Sequence, residues 1–97
     1  MRLKPFEVAA IKSAAQRAFG ERVVVRLFGS RVYDHLRGGD IDLHLETDAP
    51  VTDRDADRFD RLLFETLDEQ RVDKVFTVRG DELSPFERIC YRDGVPL

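Results

Sequence analysis

The sequence predicts a small α+β domain with an α/β-like order: a mixed sheet of three strands or slightly more, with helices mainly on one face. Three observations support this. Helical periodicity and strand-like alternation replace one another along the chain in the order αβ(α)βαβα. The 97 residues amount to about one domain, so residues 1–97 read as a single unit. Hydrophobic residues make up 42% of the chain and are spread along it, which is enough for one core, although a chain this short buries only about 60 to 65% of its unfolded surface.

Residues 5–19 read as the first helix. Pro5 is tolerated in its first turn, Ile11, Ala14, Ala15 and Ala18 recur at helical spacing, and Gly20 stands where a helix stops. Residues 22–28, RVVVRLF, are β-branched and nearly continuously apolar, as in a central strand covered on both faces. Gly29-Ser30 ends that strand, and a short helix over Arg31–Leu36 follows before the turn residues Gly38-Gly39. In DIDLHLE, Ile41, Leu43 and Leu45 alternate with Asp40, Asp42, His44 and Glu46, giving a strand with one dry and one polar face. Thr52 caps a helix expected to run to about Gln70, with Phe59, Leu62, Leu63 and Leu67 as its buried stripe. RVDKVFTV then sets Val72, Phe76 and Val78 against Asp73, Val75 and Thr77, with the Lys74 stem lying along apolar surface. A last helix over about 84–92 carries Phe86, Ile89 and Cys90 before Gly94 and Pro96 end it.

Sixteen basic and 19 acidic residues leave a net charge of −3, which provides no field for coating nucleic acid, so no extended nucleic-acid binding is expected. The single cysteine, Cys90, has no disulfide or CxxC partner, which argues for a reducing compartment, by default the cytoplasm. No apolar run approaches the ~20 residues of a membrane span, and the charged start of the chain lacks the apolar core of a signal peptide; a soluble, unprocessed chain is expected.

The chemistry concentrates between Leu27 and Glu46. Asp40 and Asp42 leave the same strand face about 6 to 7 Å apart at Cα, where two negative charges repel by roughly 2 to 3 kcal/mol at an effective dielectric near 20. A positive partner is therefore expected between them, yet no Lys or Arg alternates with them on that strand. Paired carboxylates are the ligands that hard cations such as Mg²⁺ prefer, although a solvated strand edge produces the same pattern. Gly29-Ser30, at a strand end leading into a helix, offers backbone N–H groups and a hydroxyl as an anion seat, with a plain turn cap as the alternative. A seat for phosphates followed by a divalent-cation pair is what a nucleoside triphosphate requires.

The run of Gly29-Ser30, nine residues and then Asp40-Ile-Asp42-Leu resembles the signature of nucleotidyltransferases of the DNA polymerase β-like superfamily. The short chain, with GSR followed by GGDIDL, looks like the minimal nucleotidyltransferase group, many of which are antitoxins paired with HEPN-domain toxins. The likeness spans most of the chain and implies the nucleotidyltransferase fold. It implies that Asp40 and Asp42 ligate two Mg²⁺ ions. Asp73 fits the family's third carboxylate, completing the metal site and positioning or deprotonating the attacking hydroxyl. Gly29 and Ser30 would hold the β- and γ-phosphates of ATP, with Arg31 and Arg37 as candidates to neutralise their charge. The chain departs from many relatives in lacking a Gly soon after the Ser: Tyr33-Asp34-His35 intervene and the first Gly is Gly38.

The implied reaction is transfer of AMP from ATP to a tyrosine of a HEPN ribonuclease partner. A domain this small leaves no second lobe to present an acceptor, so a partner or another copy of the chain is expected to supply that surface. A module that neutralises a toxin by binding alone, and a transferase acting on a small molecule or RNA, are the competing readings. Asp53, Asp55 and Asp57 open like a calcium loop, but Arg58 and Phe64 stand where Gly and Glu are needed, so they read as a helix start. His44 reads as a solvated strand residue, Phe64 as an exposed one off its helix's buried stripe, and Cys90 as core rather than nucleophile.

Overall fold

The computed structural model describes residues 3–29, 40–67 and 71–97. Helix α1 (Pro5–Phe19) matches its predicted limits; Glu7 accepts a hydrogen bond from the Lys4 N–H at 2.9 Å, and Gly20, at φ 96°, turns the chain out of the helix. Strand β1 (Val24–Phe28) starts two residues later than expected, because the Val23 N–H bonds back to the Gly20 carbonyl and holds the intervening residues in a turn. Strand β2 (Ile41–Thr47) runs antiparallel to β1. The helix expected at Arg31–Leu36 lies outside the described residues.

Helix α2 (Asp53–Phe64) is capped by Thr52, whose hydroxyl accepts from the Asp55 N–H at 3.1 Å, so Asp53 and Asp55 in its first turn serve a helix start. It ends well before Gln70. The Thr66 N–H bonds to the Leu63 carbonyl in a tightened last turn, and a β-branched residue gives little reason to continue. The α2 crossover returns the chain as β3 (Val72–Val78), parallel to β2. Helix α3 (Pro85–Asp93) starts at a Ser84–Glu87 capping box. Gly94 and Pro96 do more than end it: Val95–Pro96 form a fourth strand, β4, antiparallel to β1. A Cβ at Gly94 would collide with the Cys90 carbonyl and lie 3.0 Å from Arg26 Cβ, so only glycine lets the chain pass this close to β1. Pro96 is tolerated because β4 is an edge strand.

The mixed sheet has the order β3-β2-β1-β4. Its dry face carries Ile41, Leu43 and Leu45 of β2 beside Val25 and Leu27 of β1, and meets Ile11, Ala14 and Ala15 of α1 and Phe59 and Leu63 of α2. Phe19 bridges the two helices and the sheet, with its ring centroid 5.6 Å from Phe59 and 5.5 Å from Phe76, each pair contributing about 0.5–1.5 kcal/mol beyond area burial. Phe64 packs partly buried against this core rather than standing free. Lys74 reaches Asp60 on α2 at 2.6 Å, which places its charge at the rim. No helix among the described residues is long and apolar enough to cross a membrane.

Candidate functional site

The opposite face of the sheet carries the polar residues of β2, and it divides into an open end and a covered end. The parallel register sets Asp42 directly opposite Asp73, and the antiparallel register sets it opposite Phe28. Asp40 precedes Ile41, whose N–H bonds to the Arg71 carbonyl at 3.1 Å, so Asp40 and Arg71 flank the strand starts on the same face as Asp42 and Asp73. Three carboxylates thus gather at the end of the sheet where β1 turns away at Gly29.

Gly29 has φ 77°, and a Cβ built on it would collide with Asp42 Oδ2 and lie 3.1 Å from Asp42 Cγ. Only a residue without a side chain fits here, both for its backbone conformation and for the space the carboxylate takes. Ser30 and Arg31, the other two candidates for holding phosphate, lie outside the described residues, as does Arg37.

Burial pushes the Asp42 carboxyl above its ordinary range, and repulsion from Asp73 and Asp40 and a hydrogen bond with Asp73 raise it further. The positive partner that the sequence demands comes from the residue just before the neighbouring strand. Arg71 Nε lies 3.5 Å from Asp40 Oδ2 and 3.3 Å from Asp73 Oδ1. Sequence reasoning missed this residue, although its position two before Asp73 places it on the same face; what was lacking was the strand register.

Carboxylate oxygens are the donors that hard divalent cations prefer, and Asp40, Asp42 and Asp73 would be the residues to supply them. As the chain stands, no group of three or more His, Cys, Asp or Glu among the described residues is gathered closely enough to hold a metal ion. Arg71 instead supplies the positive charge that Asp40 and Asp73 share.

The covered end overturns the expectation of a solvated His44. His44 is fully buried under α3: its Nε2 is hydrogen-bonded to Thr77 Oγ1 at 2.7 Å, and its ring meets the Tyr91 ring edge-on at 4.6 Å. Tyr91 Oη reaches the same Thr77 hydroxyl at 3.1 Å, and the Arg26 guanidinium lies 4.6 Å over the Tyr91 ring. Glu46 accepts from Arg26 Nη1 at 2.9 Å and from Arg79 Nε at 3.1 Å. Burial pushes Glu46 upward, but the bond and charge of Arg26, the charge of Arg79 and a bond from Tyr91 outweigh it, leaving the carboxyl below its usual range. At the other end of α3, Phe86 packs against Phe28 with centroids 6.1 Å apart, beside Gly29. Cys90 is fully buried, and burial followed by the nearby Glu87 charge raises its thiol, in keeping with a core role.

Burial, then the Arg26 charge, lowers the His44 pKa, with Glu46 and Glu87 pulling partly the other way. A depressed histidine is protonated first in the unfolded chain, so its contribution is complete above the unfolded value of 6.5 and is lost as pH falls below it. Stability to urea is expected to decline from pH 7 to 5.5 by up to ~1.4 kcal/mol per pH unit, while a His44→Gln variant stays flat over that range. A wild-type curve as flat as the variant's would remove His44 from this role. Glu46, also depressed, extends the decline below its unfolded value of 4.5, whereas the raised Asp42 acts in the opposite sense.

Comparison with protein-family models and with curated proteins finds no match to this chain.

Proposed function

We propose that the chain is a Mg²⁺-dependent nucleotidyltransferase that transfers AMP from ATP to a hydroxyl acceptor, a tyrosine of a HEPN-domain toxin, and so acts as a cytoplasmic antitoxin. The observation that carries this reading is the register pairing Asp42 with Asp73 beside Asp40, with Gly29 lying bare against the Asp42 carboxylate. The acceptor and the base come from the resemblance in sequence; the acids and the glycine supply the donor chemistry.

Magnesium bound by Asp40, Asp42 and Asp73 would polarise the α-phosphate and offset charge on the triphosphate. By the same resemblance, Gly29 and Ser30 would hold the β- and γ-phosphates. Asp73, which matches the third carboxylate of the resemblance, would position the acceptor hydroxyl and take its proton. The hydroxyl oxygen bonds to the α-phosphorus, the bond to the bridging oxygen breaks, and pyrophosphate leaves.

A second reading, neutralisation by binding alone, draws on the Arg71 contacts, which already balance two of the three acids without any metal. Intact mass spectrometry of a HEPN partner incubated with the chain and Mg-ATP separates the two. Gain of one or more adenylate units is the expected result, and an inhibited but unmodified partner would leave only the binding reading.

A further inference from the structure

The two edges of the sheet are finished differently. On one side, β4 is two residues long and holds Pro96, which leaves little for another strand to pair with. On the other, β3 runs for seven residues without proline or glycine, and among the described residues no strand pairs with its outer side. The Ile41 N–H bonds to the Arg71 carbonyl and the Arg79 N–H to the Thr47 carbonyl, so the alternate residues Arg71, Asp73, Val75, Thr77 and Arg79 turn their backbone groups to β2. The backbone groups of Val72, Lys74, Phe76 and Val78 therefore point outward. A lysine often guards such an edge, but the Lys74 charge is drawn onto Asp60 of α2. The helices pack toward the middle of the sheet, α2 on α1 and α3 on β1.

We propose that β3 is a dimerisation edge: it pairs antiparallel with β3 of a second copy of the chain, about a two-fold axis between the two Phe76 residues, to make one continuous sheet. Charge and register select this occupant. A two-fold normal to the sheet must have a residue at its centre, because residues that face one another point to the same side. Centred on Asp73 or Lys74, the pairing sets that charge against itself; centred on Val75, it sets Arg71 against Arg79; centred on Thr77, it puts Lys74 opposite Gly80, beyond the strand. Centred on Phe76, no like charges meet. Asp73 faces Arg79, Lys74 faces Val78 and Val75 faces Thr77, and the outward backbone groups of Lys74, Phe76 and Val78 all find partners. The polar faces of the two copies are then continuous, and Arg79 of the second copy comes opposite Asp73 at the open end of the sheet. The pairing does not depend on the reaction proposed above.

Sedimentation equilibrium of the full chain tests this, and the wild type is expected to be dimeric at about 100 µM. Lys74→Pro removes an N–H that β2 does not use and is expected to raise the dimer dissociation constant at least about tenfold, whereas Lys74→Ala, which also loses the Asp60 pair, should leave it within about twofold. Circular dichroism checks that each variant is folded. Among Lys74→Cys, Val75→Cys and Phe76→Cys, disulfide crosslinking of two copies under a mild oxidant is expected to be fastest in Phe76→Cys, the position on the axis. A wild-type monomer at that concentration, a dimer that folded Lys74→Pro leaves intact, or no crosslinking in any of the three overturns the proposal. Fastest crosslinking at position 74 or 75 overturns the register.

Discussion

On the proposed function, Asp42→Asn is expected to lower nucleotidyl transfer by about 10²–10³-fold or more while making the folded chain more stable, by roughly 0.5–1 kcal/mol. Both effects have one cause. Burial raises the Asp42 carboxyl first, and the Asp73 and Asp40 charges raise it further, so at neutral pH the folded chain holds an ionised group that it would rather have neutral. Asparagine keeps the shape, removes the charge and can donate its amide to Asp73. The sign follows from linkage. A raised carboxyl binds its proton more readily in the folded state, so the ionised form costs stability as pH rises through the folded pKa. The variant's advantage should therefore be present at pH 7 and vanish below the unfolded value of 3.8. Transfer assays and urea midpoints measured on the same preparations check this. An ordinary structural carboxylate would lose stability on substitution, and a binding-only module would keep its neutralising activity; either result counts against the proposed role.

The parts of this site that local pattern determines were legible in advance. Alternation placed Asp40, Asp42 and Asp73 on polar strand faces, and the Thr52 cap, the α1 limits and the burial of Cys90 followed from spacing and turn chemistry. What could not be read depends on which strand lies beside which and what covers a face. Arg71 becomes the partner of Asp40 only through the parallel register of β2 and β3, and parallel pairing leaves no local turn signal. His44 has the same alternation as Asp42, yet one is buried under Tyr91 and the other stands at the open end; the period says which way a side chain points and nothing of what lies above it. Strand β4 was hidden because Gly94 and Pro96 are helix-stop residues in sequence, and its pairing lasts only two residues. Ser30 and Arg31, which complete the proposed phosphate seat, lie outside the described residues.

The largest loss of stability is expected from Glu46→Ala. The Glu46 side chain is 11% exposed and that of Arg26 16%, so their bond is a buried pair rather than a surface one, and removing one partner strands the other. Arg26 would remain over the Tyr91 ring and Arg79 beside it, with their shared acceptor gone. A cost of about 3–5 kcal/mol follows, a large share of the ~5–15 kcal/mol that holds a typical domain together. For a chain of this size each ~1 kcal/mol lowers Tm by roughly 4–8 °C. Glu46→Gln keeps one acceptor and should lose less. Arg26→Met combined with Glu46→Met removes both charges while Arg79 retains Asp48 and the Arg22 carbonyl, so the double variant should be more stable than the sum of its single losses implies. Additive losses would show that the pair is not coupled. The consequence reaches the open end of the sheet as well. Tyr91 and Phe86 are carried by one helix, so loss of the Tyr91 contact with Glu46 is expected to loosen Phe86 from Phe28 as well, next to the glycine that leaves room for Asp42. Amide exchange in α3 should therefore be faster in Glu46→Ala than in the wild type, and unchanged exchange would confine the loss to the Glu46 pair.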